Sequence, residues 1–73
     1  MAVSNEAREV LYAFGHSDVG FTPGSFGERL ISAFAHADTV NFARLESVFP
    51  EYGRAIRIIK DSPNGREVLL AGE

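Results

Sequence analysis

The chain has 73 residues, a formal net charge of −3 and no cysteine, which predicts one small domain, residues 1–73, without disulfides or zinc–thiolate sites. Its hydrophobic fraction of 45% suits a packed core and argues against a disordered chain. The acidic balance gives no general attraction to nucleic-acid phosphates, and no apolar run approaches the roughly 18 residues of a membrane span. The segment MAVSNEAREV lacks the features of a signal peptide, so we expect a cytoplasmic protein with no membrane partner.

The first predicted element is an amphipathic helix of about ten residues. Ser4 suits its N-cap, and Gly15 suits the position just after a helix. Tyr12 falls outside the apolar stripe of this helix. The following HSDVGFTPG predicts an irregular connection, from which Val19 and Phe21 return to the core. The apolar stripe follows the i, i+3, i+4, i+7 pattern of one helix face: Ala7, Val10, Leu11 and Phe14.

A second helix has two competing start signals. Thr22 can cap it with Pro23 at the first helical position, or Ser25 can cap it with Glu28 three residues later. In both cases, apolar residues recur every four positions on one side and polar residues line the other. The apolar stripe is Phe26, Leu30 and Phe34; the polar side is Glu28, Arg29, Ser32 and His36.

Two further helices follow with short connections. Asp38 can cap the third helix, whose apolar face holds Phe42, Leu45 and Phe49 with Val48 beside them. Pro50 ends that helix and suits the first turn of the fourth, which carries another apolar stripe: Tyr52, Ala55, Ile56 and Ile59.

The C-terminal segment REVLL follows a DSPNG turn signal and is too short to assign by periodicity. We expect a short helix or a docked tail, with an edge strand as the alternative. The chain is therefore predicted to be all-α, a compact small bundle of about four short helices with a short C-terminal helix or tail.

Two segments, FGHSD at 14–18 and FAHAD at 34–38, repeat Phe, His and Asp at one spacing. Histidine complements the dipole at a helix C-terminus, and aspartate suits the turn or cap that follows, so helix ends explain the repeat. The alternative is a divalent metal site formed by His16, Asp18, His36 and Asp38. Because H-x-D is not a dedicated ligand motif, we predict no metal and no cofactor.

No catalytic motif stands out in the chain. The glutamates fall on predicted solvent faces, the serines have no evident base partner, and no phosphate-binding glycine motif is present. We therefore predict that the protein is not an enzyme.

A basic stripe of Arg54, Arg57 and Lys60 marks the fourth helix and would contact phosphates in a nucleic-acid-binding protein. Cations also complement a helix C-terminus, and no residues for base recognition are interleaved with them. We interpret the stripe as a solvated face or as a set of salt-bridge partners, which makes nucleic acid an unlikely partner.

The chain has more apolar residues than its best core stripes require, and a domain of this size commonly gains stability from self-association. This surplus indicates a subunit or partner interface; a C-terminal segment docked on its own core is the alternative. The candidate interface residues are Tyr12, Ile58, Val68, Leu69 and Leu70.

Residues 22–55 contain a PGSF helix start, a stretch with the pattern L-I-x-A-x-x-x-A-D-x-x-N and a final L-x-x-V-F-P-E-Y. This half of the chain resembles small uncharacterised helical proteins encoded by tailed double-stranded DNA bacteriophages. The resemblance implies no activity or site residue; it implies a bacterial host cell as the setting. We expect a non-enzymatic interaction module, self-associating and acting on a bacterial host or phage protein. The alternative is a nucleic-acid-binding accessory protein that uses the basic stripe.

Overall fold

The computed structural model describes residues 3–72 and confirms the all-α fold. Five helices occupy this range. They are α1 (Asn5–Ala13), α2 (Ser25–His36), α3 (Thr39–Val48), α4 (Pro50–Asp61) and α5 (Gly65–Leu70). The C-terminal segment is thus a short helix rather than a strand. No helix within residues 3–72 has the length and apolar character needed to cross a bilayer.

Several helix ends form as their sequences predict. Ser4 Oγ accepts from the Ala7 N–H at 3.1 Å, and Asp38 Oδ1 accepts from the Asn41 N–H at 2.8 Å. Gly15 ends α1 at φ 96°, a left-handed conformation that costs glycine little. The paired bonds that close this end, from Gly15 N to Tyr12 O and from the next residue's N to Leu11 O, form a Schellman motif.

The start of α2 differs from both predicted alternatives. Gly24 occupies the N-cap without a side-chain hydrogen bond, and Ser25 is the first helical residue. Thr22 and Pro23 belong to the preceding connection, so neither predicted cap is used. That connection is held against α1 instead: the Phe21 N–H donates to Arg8 O at 3.0 Å, and Arg8 Nη1 donates to Val19 O at 2.8 Å.

The core lies around α4, which contacts each of the other four helices. Every helix except α3 contributes fully buried apolar side chains, whereas α3 covers the core with partly buried ones. On α2 and α3, three large apolar side chains remain exposed: Phe26, Val40 and Val48. The largest fully buried side chains are Phe34, Leu11, Ile56, Leu69 and Val10.

Candidate interaction surfaces

The structure separates the five predicted interface residues. Tyr12 is 38% exposed on α1. Ile58 and Leu70 are partly buried against the core, and Val68 is also partly buried. The structure corrects the prediction for Leu69, which is only 1% exposed, because α5 inserts this side chain into the core. The C-terminal helix thus closes the core, and no single surface formed by all five residues exists.

A different apolar surface lies between α2 and α3. Phe26 and Val48 are 65% and 67% exposed, and the Phe26 ring centroid lies 5.9 Å from that of Phe49. Next to them is a groove of 380 Å³ whose lining is mostly apolar and includes the rim residues His36, Asn41 and Arg44. We call this surface the α2–α3 face and define it by its apolar residues: Phe26, Ala33, Ala37, Leu45, Val48 and Phe49.

The exposure of Phe26 corrects its assignment to the core stripe. A four-residue spacing advances about 40° beyond one helix turn at each step, so Phe26 lies about 80° around the helix from Phe34. Gly27, Leu30 and Ile31 are buried together with Phe34, and their arc leaves Phe26 at its edge. Summing these angles along α2 could have identified Phe26 as a surface residue from the sequence.

A second groove, of 610 Å³, lies between the end of α1 and α2. Three polar residues at intervals of four, Glu28, Ser32 and His36, lie along its α2 side. The His36 ring contributes to both grooves. We call this second surface the α1–α2 groove; its other lining residues are Tyr12, Ala13, Phe14, Thr22, Pro23, Ile31 and Ala35.

The residues of the alternative metal site do not come together as ligands. Arg66 on α5 donates to both oxygens of Asp18, at 3.0 and 2.6 Å, and its Nη1 lies 3.2 Å from His16 Nδ1. The hydrogen bond from this guanidinium lowers the pKa of Asp18. Within residues 3–72, no group of three or more His, Asp or Glu side chains is placed to hold a metal ion. His16 and Asp18 instead bind α5 to the α1 end of the fold.

The basic stripe is partly engaged within the protein. Arg57 donates from Nε and Nη2 to Glu46, with the ion pair at 2.9 Å, and its guanidinium lies 4.4 Å from the Phe42 ring centroid. This hydrogen bonding lowers the pKa of Glu46. Arg54 and Lys60 are exposed and take part in neither of the ion pairs recorded within residues 3–72. One of the three residues of the basic stripe is therefore already paired with a carboxylate, and within the described residues the other two are not.

One carboxylate predicted on a solvent face is instead part of a helix junction. Glu9 Oε1 accepts from the Tyr52 hydroxyl at 2.7 Å, which joins α1 to α4. Burial, together with this bond, raises the pKa of Tyr52 to about 12. A Cβ at Gly27 of α2 would lie 2.7 Å from the same Glu9 oxygen, so the absence of a side chain lets α2 approach the pair. This contact therefore helps to fix α1, α2 and α4 relative to one another.

Comparison with known proteins gives no match for this chain among family models, curated proteins or solved structures.

Proposed function

We propose that this protein is a non-catalytic interaction module that self-associates through the α2–α3 face. The observation that supports it is the pair of large apolar side chains, Phe26 and Val48, each about two-thirds exposed beside a mostly apolar groove. Exposed apolar patches bordered by polar residues commonly mark protein-interaction sites.

The shape of the α2–α3 face favours a second copy of the chain as its partner. Bulky Phe26 lies at the beginning of α2, whereas small Ala33 and Ala37 line the groove toward the end of this helix. A two-fold axis between these ends brings the bulky end of each copy onto the small-residue end of the other. Such a contact uses the same surface twice, which is the usual arrangement of a homodimer.

The monomer is already compact without this contact. Its radius of gyration is 11.2 Å, which equals the value of about 11 Å expected for a folded domain of this length. Its accessible surface is 4511 Å², close to the roughly 4,450 Å² expected for a folded monomer of this mass. Self-association therefore joins folded monomers.

The size of the face predicts a weak dimer. Two adjacent helices of 12 and 10 residues present a face about 18 Å long and 20 Å wide. The area of this face is about 360 Å². It is smaller than the roughly 800 Å² per partner of a standard interface, and small interfaces are typical of transient complexes. We expect a dissociation constant between about 1 µM and 1 mM, or about 4 to 8 kcal/mol of binding free energy.

Salt distinguishes this function from the nucleic-acid alternative. Two copies that each carry a charge of −3 repel each other, so screening by added salt should strengthen an apolar dimer. Binding of Arg54 and Lys60 to phosphates would weaken steeply with salt. Phe26 and Val48 support the interaction function, because these two exposed side chains lie on α2 and α3, whereas the basic stripe lies on α4.

An NMR dilution series tests the proposal. Amide shifts that depend on protein concentration should map to the α2–α3 face. An Ala33→Leu variant, which fills the groove, should abolish them; Ala43→Leu adds the same carbons at an exposed α3 position outside the groove and should not. Shifts that map elsewhere, or that are equally sensitive to both variants, would contradict self-association through this face.

The resemblance of residues 22–55 to small helical phage proteins suggests where this function takes place. We propose that the chain is phage-encoded and that it acts in the cytoplasm of a bacterial host on a host or phage protein. The weak dimer would then present two copies of any partner-binding surface at once.

A further inference from the structure

We infer that the α1–α2 groove binds an amphipathic segment of a partner protein that carries lysine or arginine beside apolar side chains. This site lies apart from the self-association contact, since the α1–α2 groove and the α2–α3 face border different sides of α2. The only lining residue that they share is His36.

The α2 side of the groove is a row of hydrogen-bond acceptors. Glu28, Ser32 and His36 follow each other at four-residue intervals, about 6 Å apart along the helix axis. The Glu28 carboxylate can only accept, and the Ser32 hydroxyl can accept. The row spans about 12 Å, which is long enough to contact more than one side chain of a bound segment.

The third residue of the row, His36, can provide an acceptor at its Nε2 atom. Its Nδ1 lies 2.8 Å from the backbone oxygen of Ser32. Because a carbonyl oxygen can only accept, Nδ1 must carry the proton, and Nε2 of the neutral ring is then an acceptor. All three residues of the row can therefore accept hydrogen bonds from the cationic donors of a ligand.

The rest of the lining suits apolar groups. Phe14 and two alanines provide apolar surface, and the buried residues Pro23 and Ile31 complete the lining beneath them. Tyr12, near the end of α1, is 38% exposed. A lysine or arginine can pack its carbon chain on such a surface while its charged end reaches an acceptor.

The charge of the groove favours a cationic ligand. Glu28 is the only Asp, Glu, Lys or Arg among the lining residues, and it takes part in neither ion pair recorded within residues 3–72. The described part of the chain thus provides no lysine or arginine to neutralise this carboxylate in the groove. A basic group from a partner would complete the missing pair.

A second copy of the chain has two basic segments, and neither is available to the groove. On α4, the apolar residues Ala55 and Ile56 are buried in the core. On α3, Arg44 lies beside exposed Val48 in the surface that the proposed dimer covers. We therefore assign the ligand to a different protein, with apolar and basic side chains available together.

Paired peptides test this inference. A 14-residue amphipathic peptide of leucine and lysine is titrated into the protein and followed by NMR, alongside the same peptide with glutamate in place of lysine. The titration is run on the wild type and on Val48→Gln, which lacks part of the self-association surface, so that failure of the dimer proposal does not affect the result. We expect the lysine peptide alone to bind, with shifts at the α1–α2 groove in both proteins.

Matched variants assign the binding to the groove. Ala35→Lys should abolish binding of the lysine peptide, whereas Ala43→Lys, which adds the same charge at an exposed site outside the groove, should retain it. Glu28→Gln should weaken binding about two- to fivefold, the effect of an exposed ion pair. Glu51→Gln removes an equivalent carboxylate from the first turn of α4 and should change it less.

Three results would overturn the inference. The first is equal binding of both peptides, and the second is a set of shifts outside the α1–α2 groove. The third is an equal response to Ala35→Lys and Ala43→Lys, which would indicate attraction to the acidic protein as a whole.

Discussion

Replacing Leu69 with alanine tests whether α5 closes the core. The side chain is 1% exposed, and the substitution removes three carbon atoms. At about 0.8 kcal/mol for each buried methylene, the lost transfer free energy is about 2.4 kcal/mol. The cavity left behind increases this cost, so we expect a total of about 3 kcal/mol, within the range measured for buried leucines. A domain of this length has a total stability of about 4 to 11 kcal/mol, so the loss should be large.

Urea unfolding followed by circular dichroism measures the effect. With a slope of about 1 to 3 kcal/mol per molar urea, the midpoint should fall by about 1 to 3 M. Leu70→Ala is the matched control, because Leu70 is only partly buried and should cost less. An unchanged midpoint for Leu69→Ala would refute the core assignment; a loss of self-association in a fully stable variant would restore Leu69 as an interface residue.

Three further perturbations test other parts of the fold. Gly20→Ala places a Cβ 2.7 Å from a backbone oxygen of α1 and should cost about 1 to 3 kcal/mol of stability. Gly24→Ala adds a Cβ that has no atom within 4 Å and should cost less than Gly20→Ala. Equal urea midpoints for the two variants would contradict this. The pKa of Tyr52 is raised to about 12, so its stabilising contribution is present below the unfolded value of about 10 and lost as pH rises toward 12. Tyr52→Phe should remove this dependence from unfolding measured between pH 9 and 12, and a variant with the wild-type dependence would show that the hydroxyl is not the cause. The pKa of Asp18 is lowered by hydrogen bonding to a guanidinium, so its contribution is present above the unfolded value and lost as pH falls through the folded one. Asp18→Asn should therefore flatten the fall in stability below pH 4, and an unchanged acid profile would show that this pair is not involved.

Much of the fold follows from local sequence signals. Ser4, Asp38 and Gly15 act at helix ends as their side chains or backbone freedom require, and Pro50 begins α4. These positions depend on interactions within one turn. The predicted start of α2 is wrong, because hydrogen bonds hold the preceding connection against α1. Capping rules describe interactions within one helix turn, so they do not include this contact between segments that are distant in sequence.

The surfaces were harder to predict than the helices. An apolar residue such as Leu69 fits a core or an interface equally well by type, and only the packing of α5 decides which one it occupies. Phe26 differs from Leu69, because its angle around α2 already separates it from the buried arc of that helix. Glu9 became part of a helix junction for the same reason, since its partner Tyr52 is 43 positions away. The sequence predicts the acceptor row of the α1–α2 groove as part of the polar side of α2. It does not predict that the end of α1 packs beside this row and forms the other wall of the groove.

The most direct test of the central claim is molar mass by light scattering across a dilution series. The apparent molar mass of the wild-type protein should rise with concentration from 8.0 kDa toward twice that value. At a given concentration, the mass should be higher in high salt than in low salt. Val48→Gln should remain at the monomer mass. Val40→Gln should dimerise like wild type, because Val40 is 60% exposed on the same helix but does not line the groove. A wild type that stays monomeric up to 1 mM, or a Val48→Gln variant that dimerises as well as Val40→Gln, would contradict self-association through the α2–α3 face.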